Sequence, residues 1–199
     1  MRHGATEGNA WRRYVGRGTD EPLSAEGRAQ CLRAGSLPGV RKVCVSPLLR
    51  ARQTAELCFP GASQLVADDL AECDFGAFEG RSAHDMRHDL AYRAWVEGDC
   101  RGRCPGGESP DDHARRSNAA LTSLVHDAMA YGQKTLYVVA HGGTIMAALS
   151  TLGPGVPGMD NYFSWHVGNC EGYVARAWLE GDRVRLGDPW RFTRLSEVG

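Results

Sequence analysis

Met1-Arg2-His3-Gly4-Ala5-Thr6-Glu7-Gly8-Asn9 opens the chain, and Val139-Ala140-His141-Gly142-Gly143-Thr144 stands far downstream. Each stretch places a histidine, followed at once by glycine, where the chain should leave a strand, and the pair suggests one shared anion site. A neutral imidazole is a competent nucleophile toward phosphorus, and Arg2 beside His3 supplies a permanent planar cation for phosphate oxygens. Gly4 allows a bulky tetrahedral group to approach the backbone. Thr6 and Asn9 add a hydroxyl and an amide, which suit non-bridging oxygens without repelling them.

Outward from these points the chain alternates helix and strand signals. Residues 10 to 23 read as a loop, and Ser24 caps a helix over residues 25–34 with Ala25, Ala29 and Leu32 on one face. Residues 42–45 form a short apolar strand, 48–58 a helix and 65–67 another strand, an order that argues for crossover units and a mainly parallel sheet. Ser82 to Asp85 has the capping-box pattern of a helix extending toward Glu97. Ser109-Pro110-Asp111-Asp112 starts a longer helix that should run to Tyr131. Thr135 to Ala140 reads as a strand covered on both faces, Gly142 leads into a helix to about Leu152, and residues 172–179 and 183–186 form a hairpin.

An open parallel sheet binds ligands beyond the carboxyl ends of its strands, which is where His141 falls, and the helix after it adds amide donors for an anion. Arg50, one turn into the helix that follows a strand, aims a cation at the same edge.

Composition narrows the function classes. The 199 residues predict one compact domain, and the net charge of -1 gives no global basic field for nucleic acid or an anionic membrane, so anion selectivity has to be local. The seven cysteines are odd in number and scattered, and are read as reduced thiols without zinc-site spacing. No apolar run approaches a membrane span, and no signal-peptide pattern opens the chain, so a cytoplasmic protein is expected.

Six motifs in order, Arg2-His3-Gly4-x-Thr6-x-x-Asn9, Pro22-Leu23-Ser24-x-x-Gly27-x-x-Gln30, Ser46-Pro47-Leu48-x-Arg50-Ala51-x-Gln53-Thr54-Ala55, Glu72-x-Asp74-Phe75-Gly76-x-Phe78-Glu79-Gly80, Gly106-Gly107-Glu108-Ser109 and Val139-x-His141-Gly142-Gly143, resemble the histidine phosphatase superfamily, the phosphoglycerate mutase-like fold. The resemblance implies an α/β three-layer sandwich with a mostly parallel central sheet and helices on both faces. It implies a single domain over residues 1–199 with a helical capping segment at about 81–108. By the same resemblance His3 is the nucleophile that becomes phosphohistidine. Arg2, Asn9, Arg50, His141 and Gly142 hold the phosphoryl oxygens, and Glu72 protonates the leaving oxygen and then deprotonates the attacking water. Two guanidiniums and a second imidazole can neutralise the oxygens without a metal, so neither metal nor cofactor is expected.

The short span between Glu72 and His141, and the sequence Glu-Cys-Asp-Phe-Gly-Ala-Phe-Glu-Gly, resemble the phosphatase branch, which includes α-ribazole phosphatases and broad-specificity phosphatases. That implies a phosphoric monoester hydrolase acting on a small phosphorylated metabolite. The alternatives are a phosphoglycerate mutase-type isomerase and a non-catalytic phosphate-binding module. Neither nucleic acid nor membrane is expected as a partner, and monomer and homodimer both stay open. Substrate identity stays open as well: Trp11, Arg12, Arg13, Tyr14, His84, Arg87, His88, Arg93 and Trp95 are candidate recognition residues or ordinary surface. The family sets its nucleophile at the end of a central apolar strand, yet only Met1 and Arg2 precede His3 here. The expectation is therefore that about five to eight further apolar residues precede Met1 in the natural protein.

Overall fold

Val43, Cys44 and Val45 point alternately to the two faces of a strand, and both faces are covered. Val43 and Val45 pack among Cys31, Ala34, Ala51, Ala55 and Cys58, whereas Cys44 packs with Leu70 and Leu124. Burying each valine stabilises the fold by roughly 1.5–3 kcal/mol. This alternation sets a helix layer on each side of the sheet, the three-layer α/β arrangement.

The computed structural model describes residues 1–155, 158 and 160–198. Its helices are α1 (Glu7–Ala10), α2 (Ala25–Ala34), α3 (Leu49–Cys58), α4 (Leu90–Glu97), α5 (Pro110–Ala130) and α6 (Gly142–Leu152). Its strands are β1 (Lys42–Val45), β2 (Ser63–Val66), β3 (Val138–Val139), β4 (Gly172–Glu180) and β5 (Arg183–Phe192). β1 lies between β2 and β3 and pairs with both in parallel, while β4 and β5 form an antiparallel ribbon. No helix among the described residues is long and apolar enough to cross a membrane.

Local capping chemistry explains the helices that the sequence delimits best. The Ser24 hydroxyl accepts from Gly27 N at the start of α2, and Ser109 and Asp112 close a capping box at the start of α5 with Pro110 at its first position. The face of α2 differs from expectation. Gly27, Cys31 and Ala34 are buried, and Leu32 is 71% exposed. The reason is Gly27, which approaches the loop after His3 so closely that a Cβ there would lie 1.9 Å from Ala5 O. Only a glycine permits that contact, so it selects the buried face.

Three other elements are corrected. The capping box at Ser82 closes a turn only, since Asp89 then accepts from Ala91 N and Tyr92 N and opens α4 afresh, so the segment over 81–108 holds one short helix. The expected strand over 135–140 is strand only at Val138–Val139, paired with Cys44 and Val45: on its other edge Met1 and Arg2 reach only Val138 and Ala140, and residues 135–137 border a cavity instead of a second strand. The hairpin is longer than expected, extending to Phe192.

Met1, Arg2 and His3 occupy the position between β3 and β4. Ala140 N donates to Met1 O (2.9 Å) and His3 N to Ala140 O (3.1 Å), while on the other edge Arg2 N donates to Glu171 O and Cys170 N to Arg2 O. Alongside Met1 a partly open cavity of about 470 Å³ separates Thr135–Val138 from Tyr173–Ala177, with Leu149, Val174 and Phe192 among its walls.

Candidate active site

His3 is fixed by its backbone before its ring does anything. Its N–H bonds Ala140 O, its carbonyl accepts from Asn169 Nδ2 at 2.9 Å, and the next residue, Gly4, donates to Thr54 Oγ1 at 2.9 Å. The ring is buried, with Nδ1 2.6 Å from Gly4 O. A carbonyl can only accept, so Nδ1 carries the proton and Nε2 keeps its lone pair. Burial, then the charges of Arg50 and Arg2, hold the His3 pKa well below its ordinary range, so the ring is neutral at physiological pH.

His141 ends the sheet edge next door and caps α6, its ring centroid 5.0 Å from that of His3. Its Nε2 lies 2.7 Å from Ser46 Oγ, and its Nδ1 is buried with no hydrogen-bond partner. If the Ser46 hydroxyl donates to Nε2, the ring's proton sits on Nδ1, where it can serve an incoming oxygen. Burial again leads in lowering the His141 pKa, followed by Arg50 and His3.

Arg50 is fully buried, and three backbone carbonyls hold its terminal nitrogens: Thr19 O takes Nη1, and Val15 O and Gly16 O take Nη2. Its Nε has no partner. Arg2 repeats the pattern, with Nη1 on Val167 O at 2.8 Å and a buried, unpartnered Nε, and a Cβ on Gly142 would sit 3.7 Å from that Nε. Both guanidiniums are thus anchored by carbonyls, and each keeps its Nε–H free.

Glu72 is tied to the same edge from the other side: Oε1 accepts from Cys73 N at 2.9 Å and Oε2 from Gly143 N at 3.1 Å. His113, on α5, places Nε2 3.8 Å from Glu72 Oε1 and is almost wholly buried. A half-buried pair, Glu108 with Arg116, braces the loop carrying the acid, since Arg116 also donates to the carbonyls of Asp69 and Ala71.

The structure brings Arg2, His3, Arg50, His141 and Gly142 together and ties Glu72 to them through Gly143. Asn9 is less committed: its Oδ1 accepts from Thr6 N in the capping box of α1, leaving its NH2 for a ligand. Thr6 serves as that helix's cap, its hydroxyl accepting from Asn9 N. Ser46, Thr54, His113 and Asn169 are support residues the sequence reading does not single out. Of the nine candidate recognition residues, Tyr14 and Trp95 line the cavity of about 700 Å³ that opens beside Glu72 and Arg2, and the other seven do not. Among the described residues no three His, Cys, Asp or Glu side chains gather as a metal site would require.

One pH effect follows from these burials. His3, His113 and His141 all have lowered pKa values, with burial the leading cause in each. The unfolded chain takes up protons near the ordinary value of 6.5, whereas the folded chain takes them up only at lower pH. Stability therefore falls as pH drops below about 6.5, by up to about 1.4 kcal/mol per pH unit for each histidine. The carboxylates lowered by hydrogen bonds, such as Asp112, contribute only further down, as pH falls through their own range. Urea midpoints in phosphate-free buffer are expected to be lower at pH 5.5 than at pH 7.5; equal midpoints would contradict the neutral, buried state of these rings.

This geometry has relatives. The family model of the histidine phosphatase superfamily (branch 1) matches residues 1–186. The "Probable phosphoglycerate mutase GpmB" of Citrobacter koseri is 33% identical over 159 residues, which are 76% of this chain and 72% of that protein. Among solved structures, TTHB049 from Thermus thermophilus is 33% identical with a TM-score of 0.61, covering 86% of this chain and 85% of that one. The mycobacterial glucosyl-3-phosphoglycerate phosphatase Rv2419c, solved with VO3, is 28% identical with a TM-score of 0.74, covering 93% of each chain. With the model spanning nearly the whole chain and including both glycine-flanked histidines and the acid, this protein belongs to the histidine phosphatase superfamily.

Proposed function

We propose that the chain is a phosphomonoesterase that works through a phosphohistidine on His3. The observation that carries the proposal is the set of buried, unpartnered nitrogens, Arg2 Nε, Arg50 Nε and His141 Nδ1, on the residues whose charges or ring neighbour a neutral His3 with a free Nε2 lone pair. Buried donors without acceptors are costly, about 1–3 kcal/mol each, and an anion with several oxygens relieves all three at once.

In the first half-reaction His3 Nε2 forms a bond to phosphorus as the ester oxygen leaves, and Glu72 gives that oxygen its proton. The two guanidiniums and His141 hold the equatorial oxygens as charge spreads over them. In the second half, carboxylate Glu72 takes a proton from water, the water oxygen bonds phosphorus, and the N–P bond breaks to release phosphate and restore His3 and protonated Glu72. No proton is left over, and no further reactant is needed.

The phosphoglycerate mutase name of the GpmB relative favours a second reading, transfer of the phosphoryl group back to bound glycerate. Phosphorus NMR of the protein incubated with 3-phosphoglycerate and with simple phosphomonoesters separates the two. Hydrolysis is expected to yield inorganic phosphate from the monoesters; accumulation of 2-phosphoglycerate without phosphate would favour the mutase.

A further inference from the structure

The chamber beyond the phosphoryl site has a chemistry of its own. Its volume, about 700 Å³, falls in the range of small-molecule sites. Phe75, Trp95, Val96, Met146 and Phe163 supply much of its wall. The aromatic side chains that carry polar tips have them engaged elsewhere: Tyr14 OH meets Tyr92 OH at 3.0 Å, Trp95 Nε1 donates to Gly102 O at 2.9 Å, and Tyr162 OH donates to Gly143 O at 3.4 Å. Ring surface and aliphatic carbon make up much of the lining, beside the charged groups that share it.

Charge at the chamber is one-sided. Asp99 and Asp111 line it with no ion-pair partner among the described residues. The two lining arginines are engaged, Arg2 at the phosphoryl site and Arg101 on Asp160 at 2.9 Å. A leaving group that brings its own carboxylate would meet these acids without a free guanidinium to offset them. Resting on the phosphatase reading above, we infer that the substrate is the monophosphate of an uncharged alcohol with a flat aromatic or apolar body, which the rings of Trp95 and Phe163 sandwich or edge against.

Calorimetric titration with three non-hydrolysable phosphonates tests this separately from turnover: ethylphosphonate, 2-(1-naphthyl)ethylphosphonate and 3-carboxypropylphosphonate. The naphthyl compound is expected to bind roughly 30-fold or more tighter than the ethyl one, after the costs of ordering it. The carboxylate compound should bind no better than the ethyl one, and Asp111→Asn should improve it selectively. Phe163 is 68% exposed, so Phe163→Ala spares the fold and should weaken naphthyl binding several-fold more than ethylphosphonate binding. Equal affinities for all three, or tightest binding of the carboxylate, would overturn the assignment. Phosphate release from 2-(1-naphthyl)ethyl phosphate is measured in parallel. Binding preference without release sinks the phosphatase reading and keeps the chamber assignment, and release without binding preference does the reverse.

Discussion

Alanine at position 3 is expected to lower kcat by roughly four orders of magnitude or more, because it removes the only route through a covalent intermediate. Binding of phosphate or vanadate should survive, since Arg2 Nε, Arg50 Nε and His141 Nδ1 do not depend on the His3 ring for their positions. Arg50 hangs on the carbonyls of residues 15, 16 and 19, Arg2 on Val167 O, and His141 on Ser46. Rapid quench with labelled substrate provides the second readout: an acid-labile, alkali-stable phosphoprotein should accumulate in the wild type and be absent from His3→Ala. Retention of more than about one per cent of kcat would place the nucleophile elsewhere, since removal of a nucleophile typically costs far more than a hundredfold.

Glu72→Gln should produce a loss that depends on the leaving group. General acid catalysis contributes about 10²–10⁴-fold where the leaving oxygen is basic, so a sugar or alkyl phosphate should slow by that order. p-Nitrophenyl phosphate should lose far less, because its phenolate leaves without a proton. Glutamine is nearly isosteric, but it cannot accept from both Cys73 N and Gly143 N as the carboxylate does, so one of these bonds is broken. That defect would slow both substrates alike. The ratio of the two losses, and not either alone, therefore reports the acid role, and equal losses would remove it.

How much of this was legible without coordinates depended on distance along the chain. α2 and α5 announce themselves because a cap and its partner lie three residues apart, Ser24 with Gly27 and Ser109 with Asp112. Arg50 and His141 were legible as candidates because each follows a strand signal, and His3 and Glu72 through their motifs. Their supports were not. Ser46 reaches His141 across 95 positions and Thr54 reaches Gly4 across 50, and neither pairing leaves a periodic trace in the sequence. His113 sits among the alternating polar and small residues at the start of α5, where nothing distinguishes an inward histidine from a solvated one. The brevity of β3 and the outward turn of Leu32 had the same origin: both are decided by what lies across from them, a cavity beside residues 135–137 in one case and the Ala5 backbone in the other.

The cavity between Thr135–Val138 and Tyr173–Ala177 gives the molecule a mechanical character as well as a shape. Much of its wall, including Leu149, Val174 and Phe192, is apolar, and part of its volume is space the folded chain holds but an unfolded chain would give up. Hydrostatic compression favours whichever state occupies less total volume. Squeezed, this protein should yield first along the seam where the backbone of Met1–His3 bridges the end of β3 and the residues just before β4. Because that seam also carries His3, kilobar pressure should disable the proposed chemistry before it melts the helices on either side.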